Sequence, residues 1–200
     1  EVTFTPTDTA TYNTVTGTVN VQVKQAGNDL SAATIEAIPD QTYTGSALTP
    51  DPAVTLGETL LTNGVDYTAS YTDNINAGTA TFTVTGIGNY TGTASATFTI
   101  LKATPQVTTW PTASAIALGE ALSASELSGG EASVDGTFAF TDPSITPDAA
   151  GTYEAEVTFT PSDTANYNSV AGQVDVEVSA TDLSAATIEA IPDQTYTGSA

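Results

Sequence analysis

The 200-residue chain has no cysteine, no histidine and no methionine, and its only basic side chains are Lys24 and Lys102. Without His or Cys, the Ser-His-Asp and Cys-His nucleophile arrangements cannot be built, nor can imidazole or thiolate metal sites. Without cysteine there are no disulfides, so an extracellular domain of this kind must hold together by core packing alone. That suits a bacterial surface better than a small secreted animal module. Two lysines against 23 acidic residues leave a net charge of −21, and such a surface repels nucleic acid and anionic lipid. No apolar run of eighteen residues, signal peptide or anchoring motif falls in this window, so such elements are expected elsewhere in a longer polypeptide.

What is present is strand-forming. Hydrophobic residues make up 40% of the chain and forty residues are threonine. That much regularly spaced apolar residue argues against disorder, and Thr with Val, Ile, Phe and Tyr marks strands rather than helices. The chain is also repetitive. Asp29 to Ala47, DLSAATIEAIPDQTYTGSA, recurs unchanged at Asp182 to Ala200, a spacing of 153 residues. Glu1 to Val23 matches Glu156 to Val178 at a spacing of 155, the difference being absorbed by a connector of five residues in one place and three in the other. Length changes in connectors are what a tandem array tolerates.

The period divides the sequence into four parts. Residues 1–24 read as the last strands of a repeat, 29–101 and 103–178 as whole domains, and 182–200 as the start of the next repeat. In the first domain, strands are predicted near Ala33–Ala37, Gln41–Thr44, Asp66–Tyr71, Thr79–Thr85 and Thr93–Ile100, with Phe82, Val84, Phe98 and Ile100 in the core. In the second they are predicted near Gln106–Trp110, Ala115–Ala121, Thr137–Thr141, Thr152–Thr160 and Gln173–Val178. There Tyr153, Ala155, Val157 and Phe159 face Val174, Val176 and Val178. Gly119–Ser128 has a helical look but is read as loop and strand. Many short strands separated by turns point to an antiparallel sandwich.

The strings YTGSALTPDPAVTL (Tyr43–Leu56) and NGVDYTASYTDNINAGTATFTVTGIGNYTGTASATFTI (Asn63–Ile100) resemble bacterial immunoglobulin-like repeats of the MBG kind, found in long surface adhesins. KATPQVTTWPTASAIALGEALSASELSGG (Lys102–Gly130) and GTFAFTDPSITPDAAGTYEAEVTFTPSDTANYN (Gly136–Asn168) resemble a companion Ig-like repeat that alternates with them. The resemblance implies an all-β chain of tandem antiparallel immunoglobulin-like β-sandwich domains in an elongated array. It implies an extracellular, cell-surface location and a stalk or adhesive role, and it carries over no catalytic or binding residues.

Carboxylates are the remaining candidates for chemistry. Asp163-Thr164-Ala165 and its copy Asp8-Thr9-Ala10 look superficially like an aspartic-protease loop, but read better as turns in which Asp caps its own backbone; no catalytic site is expected. On the sheet face, a hairpin centred on Asn166-Tyr167 would set Glu156 beside Glu177, and opposed acids invite a cation. The earlier copy has Asn20 and Gln22 where this one has Asp175 and Glu177, so a solvated acidic face that discourages edge-to-edge association is preferred. No cofactor or metal is expected, with calcium at a domain junction as the alternative: Asp29, Asp40, Asp182 and Asp193 are its candidate ligands, although no dense acidic motif surrounds them. Lys24 and Lys102 sit in connectors, unsuited to an intramolecular isopeptide bond. Trp110 is expected to pack in a core or against a neighbouring domain rather than stack on a ligand. Tyr12, Tyr90 and Tyr167, at matching positions, are expected to pin the last hairpins.

The reading that follows is a structural one: a stalk repeat that projects an adhesive region from the cell, whose partners are neighbouring repeats of the same polypeptide. The alternatives are a self-associating extracellular filament or sheath, and a module that binds a glycan or host protein through its end loops.

Overall fold

The computed structural model describes residues 1–19, 28–180, 189 and 198. Among them there is no α-helix; the architecture is all-β with multiple sheets. The strands in chain order are β1 (Val2–Phe4), β2 (Val15–Gly17), β3 (Asn28–Asp29), β4 (Thr34–Ile35), β5 (Gln41–Thr42), β6 (Val54–Leu56), β7 (Thr59–Leu60), β8 (Tyr67–Thr72), β9 (Gly78–Gly86), β10 (Tyr90–Thr91), β11 (Thr93–Leu101), β12 (Val107–Thr109), β13 (Thr112–Ala113), β14 (Ile116–Ala117), β15 (Leu127–Ser128), β16 (Glu131–Ala132), β17 (Gly136–Phe140), β18 (Gly151–Pro161) and β19 (Val170–Ser179). Two four-stranded sheets have the orders β5-β11-β9-β8 and β14-β19-β18-β17. The chain divides into two compact units: residues 1–41, 47–74 and 79–99 form one, and residues 42–46, 75–78 and 100–200 the other.

In the first unit, β8 and β9 pair antiparallel from Tyr67↔Gly86 to Thr72↔Thr81, while β4, β6 and β7 form a three-stranded antiparallel sheet. Alternation turns every second residue of β9 inward, so Ala80, Phe82 and Val84 are buried. Phe82 and Val84 join Leu30, Val54, Leu61 and Tyr67 in one apolar cluster drawn from both sheets. The Tyr71 hydroxyl donates to the Pro50 carbonyl at 2.7 Å, and Asn74 Nδ2 donates to the Leu48 carbonyl at 2.9 Å; both tie the proline-rich loop to the sheet. Phe98 is buried too, as is Ile100 of the second unit, as the alternation of β11 predicts.

In the second unit, β18 and β19 run antiparallel over nine pairs from Gly151↔Val178 to Phe159↔Val170. β17 adds to the far edge of β18, and β14 pairs parallel with the end of β19. The inward faces of β18 and β19 carry Ala155, Val157, Val174, Val176 and Val178, which pack with Ile116 and Leu122; Phe159 is buried as well. Trp110 stands edge-on to Phe138, with ring centroids 5.8 Å apart, and Phe138 lies 4.9 Å from Phe159. Trp110 therefore packs in the core of its own unit.

The long strands fall where the alternation puts them. Six short ones lie outside the predicted strands: β3, β6, β7, β10, β13 and β16, each two or three residues long, too brief to show a period of two. Gly119–Ser128 resolves into a 3-10 turn at Leu122–Ala124, which buries Leu122, followed by β15.

Candidate functional site

Asp8 and Asp163 both cap the chain that follows them. Asp8 Oδ1 accepts from the Ala10 and Thr11 amides at 3.0 and 3.1 Å. Asp163 Oδ1 accepts from the Asn166 amide at 3.2 Å, and Oδ2 from Asn166 Nδ2 at 2.8 Å. These are the side-chain-to-backbone bonds that favour Asp in turns. Hydrogen bonding from the Thr11 hydroxyl, then from the Thr11 and Ala10 amides, holds the Asp8 carboxyl below its usual value.

Asn166 is one of two buried polar residues among those described, the other being Ser125. Besides its bonds to Asp163, its Oδ1 accepts at 2.8 Å from the amide of Ala77, a residue of the same unit. Ser125 Oγ donates to the Ser114 carbonyl at 2.6 Å. Both polar side chains are satisfied internally, so neither is poised for a ligand.

The turn at Asp163 also corrects an expectation on the sheet face. The registration is Glu156↔Gln173, Glu154↔Asp175 and Thr152↔Glu177, so Glu156 and Glu177 are not opposed. The reversal is centred two residues earlier than Asn166-Tyr167, at Thr164-Ala165. Asn166 and Asn168 are drawn instead toward Ala103: the Ala103 amide donates to the Asn166 carbonyl at 2.9 Å, and the Asn168 amide to the Ala103 carbonyl at 2.8 Å. The acids that do face each other are Glu154 and Asp175, both exposed. Thr152 Oγ1 donates to Glu177 at 3.4 Å.

Of the four candidate calcium ligands, Asp29 and Asp40 are described and Asp182 and Asp193 lie outside the described residues. Asp29 caps the 3-10 turn Leu30–Ala32, its Oδ1 accepting from the Ser31 amide at 2.9 Å. Hydrogen bonds from the Ser31 amide, then its hydroxyl, hold its carboxyl low. At Asp40 it is the backbone carbonyl that is engaged, by Gln41 Nε2 at 3.4 Å. Among the described residues no group of three or more acidic side chains gathers at one place. Lys24 lies outside the described residues; exposed Lys102 donates from Nζ to the Thr164 carbonyl at 2.7 Å. Of the three tyrosines, Tyr90 packs against the first unit's core, Tyr167 stands edge-on to Tyr43 at 5.3 Å, and Tyr12 is exposed.

Three open grooves lie on the described surface. One of about 520 Å³ is lined by Leu127, Phe138, Phe140, Pro143 and two serines; one of about 340 Å³ includes Glu131 and Asp135; one of about 270 Å³ includes Glu36 and Asp51 among three prolines. None combines a nucleophile, a base and an oxyanion donor set. Among the described residues no helix is long and apolar enough to cross a membrane.

The feature that sequence reasoning missed is a glycine. A Cβ on Gly172, in β19, would overlap the Trp110 indole, so this glycine is the slot in which the tryptophan lies. Glycine inside a strand was the available signal, since it marks close approach of another group. No protein-family model matches the chain, and neither does any curated protein.

Proposed function

We propose that the chain is a stretch of structural stalk repeats, built of immunoglobulin-like β-sandwich modules, from a long bacterial surface or extracellular protein that holds an adhesive region away from the cell. The unchanged recurrence of Asp29–Ala47 at Asp182–Ala200 carries this reading, because a repeated module adds reach in proportion to its copy number. Two further observations support it. Each unit has its own apolar cluster, and the described polar core groups are satisfied internally rather than arranged around a ligand. A ten-residue strand spans roughly 33 Å, which sets the increment per module. The charge of −21 makes neighbouring modules repel one another at low salt. Unlike modules alternating along the chain misassemble with their neighbours less readily than identical ones.

Small-angle X-ray scattering on two full periods, with calcium and with chelator, tests the reading. An elongated monomer in both conditions is the expected outcome. A compact particle would overturn it, and loosening on chelation would assign stiffness to junction calcium at Asp29, Asp40, Asp182 and Asp193. A second reading, a self-associating filament or sheath, is favoured by the exposed side chains of Val2, Phe4, Val15 and Val19; growth of the scattering mass with concentration would move it ahead.

A further inference from the structure

The hairpin β1–β2 repeats β18–β19 in sequence and in register but not in what covers it. Val2↔Gly17, Thr3↔Thr16 and Phe4↔Val15 correspond pair for pair to Val157↔Gly172, Thr158↔Ala171 and Phe159↔Val170. From Thr14 onward the two copies differ at alternate positions only: Thr14, Thr16, Thr18, Asn20 and Gln22 stand where the later copy has Ser169, Ala171, Gln173, Asp175 and Glu177. In β19 the outward positions Ala171, Gln173, Asp175 and Glu177 are exposed, and the intervening Val174, Val176 and Val178 are buried. The residues that match the inward set, Val15, Gly17, Val19, Val21 and Val23, are identical. The hairpin thus keeps the half of its sequence that serves a core, yet Val2, Phe4, Val15 and Val19 are exposed and nothing lies within 4 Å of where a Gly17 Cβ would sit.

The same chain shows what covers such a face. Over β18–β19, Trp110 fills the Gly172 slot, Phe138 meets Phe159, and β17 pairs with the outer edge of β18 at Phe138↔Phe159 and Phe140↔Val157. Among the described residues β1 has no partner strand on that edge. We propose that the face carrying Val2, Phe4, Val15 and Gly17 is a docking surface for a polypeptide segment of the sequence type of Ala103–Ala155, joined ahead of Glu1, which lays a tryptophan on Gly17 and a phenylalanine-bearing strand along β1. The inference deepens the tandem-repeat reading and rests on it.

The test joins residues 103–155 directly ahead of Glu1 of the full chain, so that Ala155 meets Glu1 as it meets Glu156 in the second unit. Amide hydrogen exchange in residues 2–17 is compared with the unextended chain, and emission from the added tryptophan is read in a version carrying Trp110→Phe at the original site. Exchange should slow by on the order of a hundredfold or more, and the added tryptophan should emit as a buried one. Gly17→Ala should reverse much of the slowing in the extended protein and change nothing in the unextended one. Unchanged exchange with solvent-like emission would overturn the proposal, as would protection in the unextended chain that grows with concentration, which would make a second copy the occupant. An unprotected hairpin in an elongated monomer sinks this proposal alone, whereas a hairpin protected only in the extended chain, to the same degree at every concentration, in a protein that self-associates sinks the stalk reading alone.

Discussion

Phe4 and Phe159 occupy matching places in two hairpins of the same register, yet Phe4 is 68% exposed and Phe159 1%; Val2 is 56% exposed and Val157 0%. The local turn is also shared, with Asp8 and Asp163 each capping the residues that follow. The difference separates two levels of structure. Turn chemistry and alternating side chains suffice to set the pairing of the strands, whereas the free energy of burial arises only when Trp110, Phe138 and the other elements of the second unit close over the sheet. Identical residues therefore carry unequal weight in stability.

That inequality can be broken experimentally, most sharply at the paired phenylalanines. Phe159→Ala should destabilise the second unit by about 3–5 kcal/mol, the usual cost of emptying a buried aromatic site, while Phe4→Ala should stay within about 0.5 kcal/mol; denaturant unfolding of the two variants measures both. The glycines come next. Gly172→Ala should cost about 1–3 kcal/mol through overpacking against Trp110, with a change in tryptophan emission, and Gly17→Ala should be silent in the unextended chain. In the first unit, Tyr71→Phe removes the hydroxyl donor to Pro50 and should lower stability by about 1 kcal/mol, seen as a lower melting temperature.

The smallest effects concern pH. The Asp8, Asp29 and Asp142 carboxyls are held low by hydrogen bonds from Thr11, Ser31 and Ser144. A carboxyl lowered in the folded state contributes stability above its unfolded value, near pH 4, and loses it as pH falls through the folded value. Thermal melts should therefore drop slightly below roughly pH 4, and Ser144→Ala should flatten part of that drop. The tyrosines behave in the opposite sense. Burial, then the charge of Asp51, raises Tyr67 and Tyr71, so their contribution is present below roughly pH 10 and is lost as pH rises through the raised values. Asp51→Asn removes a charge that raises both groups, so tyrosinate absorbance should appear at a lower pH in that variant.

The two units sharpen the contrast between pattern and identity. Each has a four-stranded sheet in which the last strand pairs with the preceding long strand on one side and a short early strand on the other. In each, an Asn-Tyr turn is tied to an earlier stretch of the same unit: the Asn28 amide donates to the Asn89 carbonyl and the Ala103 amide to the Asn166 carbonyl. The same wiring is reached with different side chains, Phe82 and Val84 in one and Ala155 and Val157 in the other. What the two share is the period of two and the placement of turns, and the fold follows those.

The sequence by itself determined the all-β class, the repeat, the long strands and the inward residues of β9, β11, β18 and β19, because alternation and turn chemistry act within a few residues of one another. The absence of His and Cys likewise ruled out whole classes of site without reference to any fold. Only the tertiary structure decided the rest. It tied Asn166 and Asn168 to Ala103, seated Trp110 on Gly172, and built short strands such as β6 and β16 from partners far along the chain. These depend on contacts between residues tens of positions apart, and no local periodicity records which distant surface a glycine or an alternating strand will meet.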